Sequence, residues 1–174
     1  KTVCTTNIQW SGTVKMVERI VENFGEPFPG DERIRAFPTP ERIAAVPFEK
    51  FKATVRAGYR AQYFHELATK IAAGETDVEA LLDGELSSKE VRKRLLGIKG
   101  VGPYAAATLQ MLLGHYDEVA VDTEFMSFVT KRHFGGEKTP MKEMLAVYED
   151  WGKWKYLAYW FEVWSEFQKK VEFS

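Results

Sequence analysis

The chain has 174 residues, the span of one ordinary domain, enough to bury about 70% of the surface its unfolded form exposes without help from a disulfide or a metal. With 45% hydrophobic and 28% charged residues it is not a disordered, collagenous or fibrous chain, and no apolar run nears the roughly 18 residues of a membrane span. The formal charge of -1, from 24 Lys+Arg against 25 Asp+Glu, gives as a global figure no pointer to nucleic acid. Cys4 is the single cysteine, which excludes intrachain disulfides, Cys-rich zinc sites and four-Cys iron-sulfur clusters, and suits a reducing compartment. The sequence opens KTVCTTNIQW, with neither an initiator Met nor a signal-peptide pattern, so a processed product or an excised domain is expected.

In chain order, Ile8, Val14, Val17, Ile20, Val21 and Phe24 recur at helical spacing until Gly25 stops the run. EPFPGDERIRAFP reads as a loop, after which Thr39-Pro40 has the form of an N-cap followed by the first helical residue. The stretch FEKFKATVRAGYRAQYFHELATKIAAG predicts two helices broken near Gly58. Thr76 with Glu79, and Ser87 with Glu90, have capping-box spacing. EVAV, residues 118–121, is the one plausible extended piece, and Thr139-Pro140 repeats the earlier start signal. GKWKYLAYWFEVWSEFQKKVEF predicts a long aromatic C-terminal helix, in which most of Trp151, Trp154, Tyr156, Tyr159, Trp160 and Trp164 are expected in the core. The fold class is therefore all-α with roughly eight to ten helices, and no low-complexity tract, dividing linker or solenoid repeat interrupts it.

The common nucleotide-loop, dinucleotide, zinc-protease and serine-hydrolase motifs are missing. His65, His115 and His133 are far apart in sequence and read as surface or partly packed residues. The informative stretch is LLGIKGVGPYAAATLQMLL, residues 95–113. A helix ends at Gly97, a tight turn Ile98-Lys99-Gly100-Val101-Gly102 follows, and Pro103 suits the first position of the next helix. Glycines 100 and 102 let the backbone turn and approach a ligand closely, while the new helix directs free N–H groups and its positive dipole end outward, a geometry that suits a phosphate. Lys89, Arg92, Lys93, Arg94 and Lys99 gather on this segment, with only Glu90 opposing them between residues 87 and 102. Taken alone, the glycines equally describe a plain connection between antiparallel helices, and the cations a solvated face. Twenty residues beyond the turn, VAV leads into Asp122-Thr123-Glu124. Asp122 falls at a predicted N-cap, where backbone N–H groups and the helix dipole favour a carboxylate that would stabilise developing positive charge; a purely structural cap is the other reading.

Together, LLGIKGVGPYAA and AVDTEF resemble the helix-hairpin-helix (HhH-GPD) DNA glycosylase superfamily, in which a G-V-G hairpin precedes a catalytic Asp. VCTTNIQWSGTVKMVERIVENFG is similar to the first core helix of the 8-oxoguanine glycosylase branch, AFPTPERIA to its FP-turn, and AGYRAQYFHELA to a helix shared with the 3-methyladenine glycosylase II branch, so the resemblance runs from residue 3 to about 160. It implies a two-lobed helical glycosylase unit over 1–174, with a hairpin lobe at about 36–116 and a second lobe from about 1–35 plus 117–174. Bifunctional members carry a Lys two residues after the second hairpin glycine, where this chain has Tyr104, an aromatic like that of the monofunctional alkylbase branch. Lys99 lies inside the turn and is not its equivalent. The four-Cys cluster of the endonuclease III branch and the extra β-rich segment with which relatives often begin are also lacking.

The resemblance implies a monofunctional glycosylase that flips a damaged or mispaired base, hydrolyses its glycosidic bond and leaves an abasic site, with Asp122 as the catalytic residue. Gly100, Val101, Gly102, Lys99 and Arg94 would contact DNA. Asn7 matches an Asn that fills the gap left by the flipped base, or else is an ordinary helix-start residue. Tyr104 would stack on the flipped base, or else pack its helix, and Trp151 and Trp154 would wall the base pocket. The implied partner is double-stranded DNA bound by a monomer, away from membranes, in a nucleoid or a nucleus. A Na or K ion on the carbonyls of residues 97–102 is the one implied ion; no catalytic metal, no other cofactor and no iron-sulfur cluster are expected. A noncatalytic DNA-structure binder and a protein-binding helical bundle are the alternative readings.

Overall fold

The computed structural model describes residues 2–5 and 8–172, the side chains of 169–172 excepted, and its described residues form nine α-helices and one small β-hairpin. Packing divides the chain into two compact units, residues 1–84 with 97–101, and residues 85–96 with 102–174. The lobes set out from sequence divide the chain differently, because the first helix packs with the helices that follow it and the post-hairpin helix with the C-terminal ones.

In the first unit, α1 (Trp10–Phe24) buries Met16, Ile20 and Phe24 at four-residue spacing. These meet α2 (Pro40–Ala44), α3 (Phe48–Val55) and α4 (Arg60–Ala72), where Phe51 stands between Phe24 and Phe64 at 5.4 and 5.8 Å. Helix α1 ends at Gly25, where the backbone turns extended, and close approach requires glycine there: a Cβ would lie 2.2 Å from the Ala36 carbonyl and 2.5 Å from that of Val21. The guanidinium of Arg35 donates to the Gly25 carbonyl and that of Arg42 to the Phe24 carbonyl, satisfying groups that a helix end leaves free. Thr39 caps α2 as expected, accepting from Arg42 N. Cys4 is buried and free, and burial pushes its thiol up.

The expected loop after α1 is instead a hairpin of β1 (Pro27–Phe28) and β2 (Asp31–Arg35). None of its residues is buried, so it lacks the alternating apolar pattern by which a strand is read. Pro29-Gly30 makes its turn, and Asp31 holds it by accepting from the Arg33 backbone and guanidinium. Residues 118–121, the expected extended piece, form no strand; Val119 and Ala120 bury their side chains in the second core.

That core gathers around α6 (Pro103–Leu112), α7 (Thr123–His133), α8 (Met141–Ala146) and α9 (Lys155–Glu172), with Phe125, Val129, Met144, Tyr148, Tyr156 and Tyr159 at its centre. Helix α5 (Ser88–Leu96) packs on α6 and begins with the expected capping box: Ser87 N and Oγ donate to Glu90 Oε2, and Glu90 N donates back to Ser87 Oγ. The two other starts differ. Asp77, not Thr76, accepts the Ala80 N–H, and Thr139 turns its hydroxyl to the Glu137 carbonyl. Of Trp151, Trp154, Tyr156, Tyr159, Trp160 and Trp164, most of which were expected in the core, only Tyr156 and Tyr159 are buried, because that pair takes the inner face of α9. Trp160, Phe161, Trp164 and Phe167 are about half exposed, the last two stacked at 5.6 Å.

Candidate active site

The hairpin is built from its two glycines, for different reasons. Gly100 has φ +90, and a Cβ there would lie 2.8 Å from the Tyr63 ring, so both conformation and packing require glycine. Val101 is buried, and its N–H donates to the Ile98 carbonyl at 3.0 Å to close the turn. Gly102 is extended, and a Cβ on it would meet nothing within 4 Å. Its carbonyl accepts from Ala106 N at 2.8 Å to start α6, with Pro103 at the first position as expected. Thus Gly100 serves the fold, and Gly102 keeps its outer surface open.

The basic segment is less free than its sequence suggests. The Lys99 ammonium donates to both Glu66 oxygens, at 2.9 and 3.2 Å, and stands 5.3 Å from the Tyr63 ring centre. Hydrogen bonds from Lys99 and then Gln62 hold the Glu66 carboxyl below its usual range. Arg92 pairs with Glu118. Glu90 is therefore not the sole opposing acid, since the others arrive from 33 and 26 residues away. Lys89, Lys93 and Arg94 are exposed. The three histidine rings are hydrogen-bonded locally, His65 to the Val46 carbonyl, His115 to the Ser88 hydroxyl and His133 to the Glu162 carboxylate, and the His65 ring also packs on Phe48 and Phe51 and that of His133 on Tyr148.

Asp122 caps α7 as predicted, its Oδ1 accepting the Phe125 N–H at 2.8 Å, and it is only partly buried. Tyr104, in the first turn of α6, is near enough to Asp122 to sense its charge: burial first, then that charge, raises the Tyr104 phenol above its ordinary value. Thr108, one turn along α6, donates to the Tyr104 carbonyl at 3.0 Å. Burial pushes Tyr156 up to about 12 and raises Tyr159 as well, with Asp122 adding to both. Asp122 is thus a partly buried carboxylate fixed by its cap, whose charge helps keep the Tyr104, Tyr156 and Tyr159 phenols protonated, and which is able to face a developing cation with a fixed negative charge.

Tyr104 also lines a cleft of about 550 Å³ with Arg92, Ala107, Gln110, Glu118 and Lys155. Trp151 and Trp154 are not part of it. They line a separate groove of about 460 Å³ with Arg132 and Phe161, and Trp154 stacks on Tyr116 at 5.8 Å. Asn7 lies outside the described residues. Sequence reasoning did not single out Tyr63, Glu66, Thr108 or Glu118; each becomes informative only through a neighbour distant in sequence or through a hydroxyl on a packed face.

The family model described as "HhH-GPD superfamily base excision DNA repair protein" matches residues 1–153. Among curated proteins, the N-glycosylase/DNA lyase of Saccharomyces cerevisiae is 24% identical over 158 residues, covering 84% of this chain and 42% of the relative. The 8-oxoguanine glycosylase/lyase of Clostridium acetobutylicum, solved in complex with DNA containing cytosine opposite 8-oxoguanine, has a TM-score of 0.76 at 23% identity, over 96% of this chain and 58% of that one. The 3-methyladenine DNA glycosylase of Archaeoglobus fulgidus has a TM-score of 0.70 at 22% identity, over 95% of this chain and 56% of that one. The chain therefore spans about half the length of these proteins, and it shares the fold of the two solved ones. With the hairpin, the following aspartate and a family match over most of its length, this chain belongs to the HhH-GPD superfamily of base excision DNA repair proteins.

Proposed function

We propose that the chain is a monofunctional DNA glycosylase that acts as a monomer on double-stranded DNA, flips a damaged or mispaired base and hydrolyses its N-glycosidic bond to leave an abasic site. The observation that carries this reading is Asp122: a partly exposed carboxylate fixed at the start of α7 by the Phe125 N–H, following a hairpin whose second glycine is succeeded two residues on by Tyr104 and not by a lysine. A base inside a duplex is out of reach, so the nucleotide must be extruded at a cost of a few kcal/mol, less where pairing is already weak. Departure of the base leaves an oxocarbenium-like sugar. Asp122 would stabilise that cation by charge and orient the attacking water. Tyr104 offers no amine for a Schiff base, which supports hydrolysis without efficient strand cleavage. Backbone N–H groups at Gly100 and Gly102, with Lys99 and Arg94, would hold phosphates, and such contacts position a strand without reading its sequence.

Trp151 and Trp154, exposed beside their groove, would contact the lesion strand. The hairpin carbonyls would hold a Na or K ion that steadies the turn; the Ile98 carbonyl, engaged with Val101 N–H, keeps a second lone pair for it. No helix among the described residues is long and apolar enough to cross a membrane, and the reading places the protein with the DNA, in a nucleoid or nucleus.

The test is release of free base from duplexes each bearing one lesion: alkylpurine, 8-oxoguanine, uracil, thymine opposite guanine, and adenine opposite 8-oxoguanine. Release by the native chain, lost by orders of magnitude in Asp122→Asn, is the expected result, each tenfold being about 1.4 kcal/mol of barrier. Unchanged release in that variant refutes the catalytic assignment. Borohydride trapping of a covalent adduct as efficient as that of a Lys-bearing relative refutes the monofunctional one.

A further inference from the structure

We propose that the cleft of about 550 Å³ in the second unit is a binding site for a neutral nucleobase, read through a hydrogen bond from one of its N–H groups to the side-chain carbonyl of Gln110. That the ligand is a nucleobase, among neutral heterocycles, rests on the glycosylase reading; the site itself does not. Gln110, on α6, is 1% exposed and forms part of the cleft lining. Its Nε2 donates to the Ser88 carbonyl at 3.0 Å. A carbonyl only accepts, so this bond fixes the amide with its nitrogen toward Ser88 and leaves Oε1 as the free end. Ser88 is held in turn, its hydroxyl 2.9 Å from Nδ1 of His115. Among the described residues no donor reaches Gln110 Oε1. An acceptor buried without a donor is costly and rare, and one set in a cleft wall points to a ligand that supplies the missing donor. The oxygen is shielded from solvent, so the side chain yields slightly toward the cleft as that ligand seats.

Charge and shape narrow the ligand class. Lys89, Arg92 and Lys155 in the lining are balanced by Asp117, Glu118 and Glu149, and two of the cations are paired within the cleft, Arg92 with Glu118 and Lys155 with Glu149 at 2.9 Å. A phosphate or an ammonium finds no net field there to favour it. Between the charges, Ala107, Val119, Val121 and Leu145 supply an apolar wall, and Tyr104, 37% exposed, offers a ring on which a flat heterocycle can stack. Val121 immediately precedes Asp122, so the wall runs up to the candidate catalytic carboxylate along the chain.

The test uses 9-methyladenine and 9-methylpurine, which differ only in the exocyclic amine; each carries a methyl group where a sugar would be attached, and 9-methylpurine has no N–H at all. Binding to the full chain is followed by the ¹³C-methyl resonances of valine and leucine. 9-Methyladenine is expected to shift the Val119, Val121 and Leu145 methyls and to bind about fivefold more tightly than 9-methylpurine, or better, and Gln110→Leu is expected to abolish that preference. Because Gln110→Leu also unties Ser88, the comparison of the two ligands on the native chain decides the matter if the variant does not fold. Two sources share this chemistry, a base flipped from a duplex and a base free in solution. For a flipped base, a lesion duplex moves the same methyls and 9-methyladenine competes with it; for a free base, the two bind together and the Kd of the duplex is unchanged. Absence of 9-methyladenine binding, shifts confined to other methyls, or equal affinity for the two ligands would overturn the inference. Failure of the glycosylase reading shows itself separately, as no base released from any lesion duplex by a chain that still binds 9-methyladenine.

Discussion

Gly100 and Gly102 look alike in sequence and do different work. At Gly100 the positive φ and the Tyr63 ring both oppose a side chain, so Gly100→Ala should cost about 2 kcal/mol, seen as a lower denaturant midpoint at unchanged slope. At Gly102 the backbone is extended and the space beside it open. Gly102→Ala should therefore unfold like the native chain yet bind DNA more weakly, because its methyl occupies the surface a phosphate would approach. Equal losses of stability in the two variants would contradict this division. The need for small residues here was legible in the chain, as was Asp122 as a cap, since each depends on a neighbour within three residues. The Tyr63 ring that crowds Gly100 was not, because it comes from another helix.

Between elements, local and distant partners behave differently. The Ser87–Glu90 box closes within four residues and could be read from spacing alone; Ser87→Ala should lower stability by about 1 kcal/mol in chemical denaturation. Lys99 and Glu66 pair across 33 residues, and nothing in either local sequence announces it. Glu66 and Tyr63 project from α4 to seat the hairpin, so one helix both shapes the turn and neutralises its cation. A phosphate must compete with that carboxylate. An exposed pair of this kind is worth up to about 1 kcal/mol, so Glu66→Gln should tighten DNA binding at low salt by up to about fivefold, with the gain shrinking as salt rises. Weaker binding by Glu66→Gln would show that Glu66 orders Lys99 for DNA rather than competing for it. The hairpin strands and the exposed side of α9 escaped prediction for a related reason: burial pattern is the signal, and neither segment carries the expected one.

Over the whole molecule, the second core is organised by tyrosines, and this sets its response to alkali. Unfolded phenols ionise near 10, whereas in the folded chain Tyr156 is pushed up to about 12, first of all by burial. A group whose folded value is raised stabilises the fold fully below its unfolded value, and that contribution drains away as pH climbs towards the folded one. Stability should thus decline between pH 10 and 12, each such phenol adding about 1.4 kcal/mol per pH unit, and Tyr156→Phe should reduce the slope measured by urea titration at stepped pH. An unaltered slope would mean that Tyr156 ionises within the folded chain.

By itself the sequence determined the helical class, the breaks between helices, the hairpin glycines and the capping aspartate, because periodicity, caps and turns are set by residues within a turn or two of one another. Tertiary structure alone decided which acids neutralise Lys99 and Arg92 and which aromatics are buried. Those depend on which face of one helix is brought against another, and burial and electrostatic pairing follow from that contact rather than from spacing along the chain.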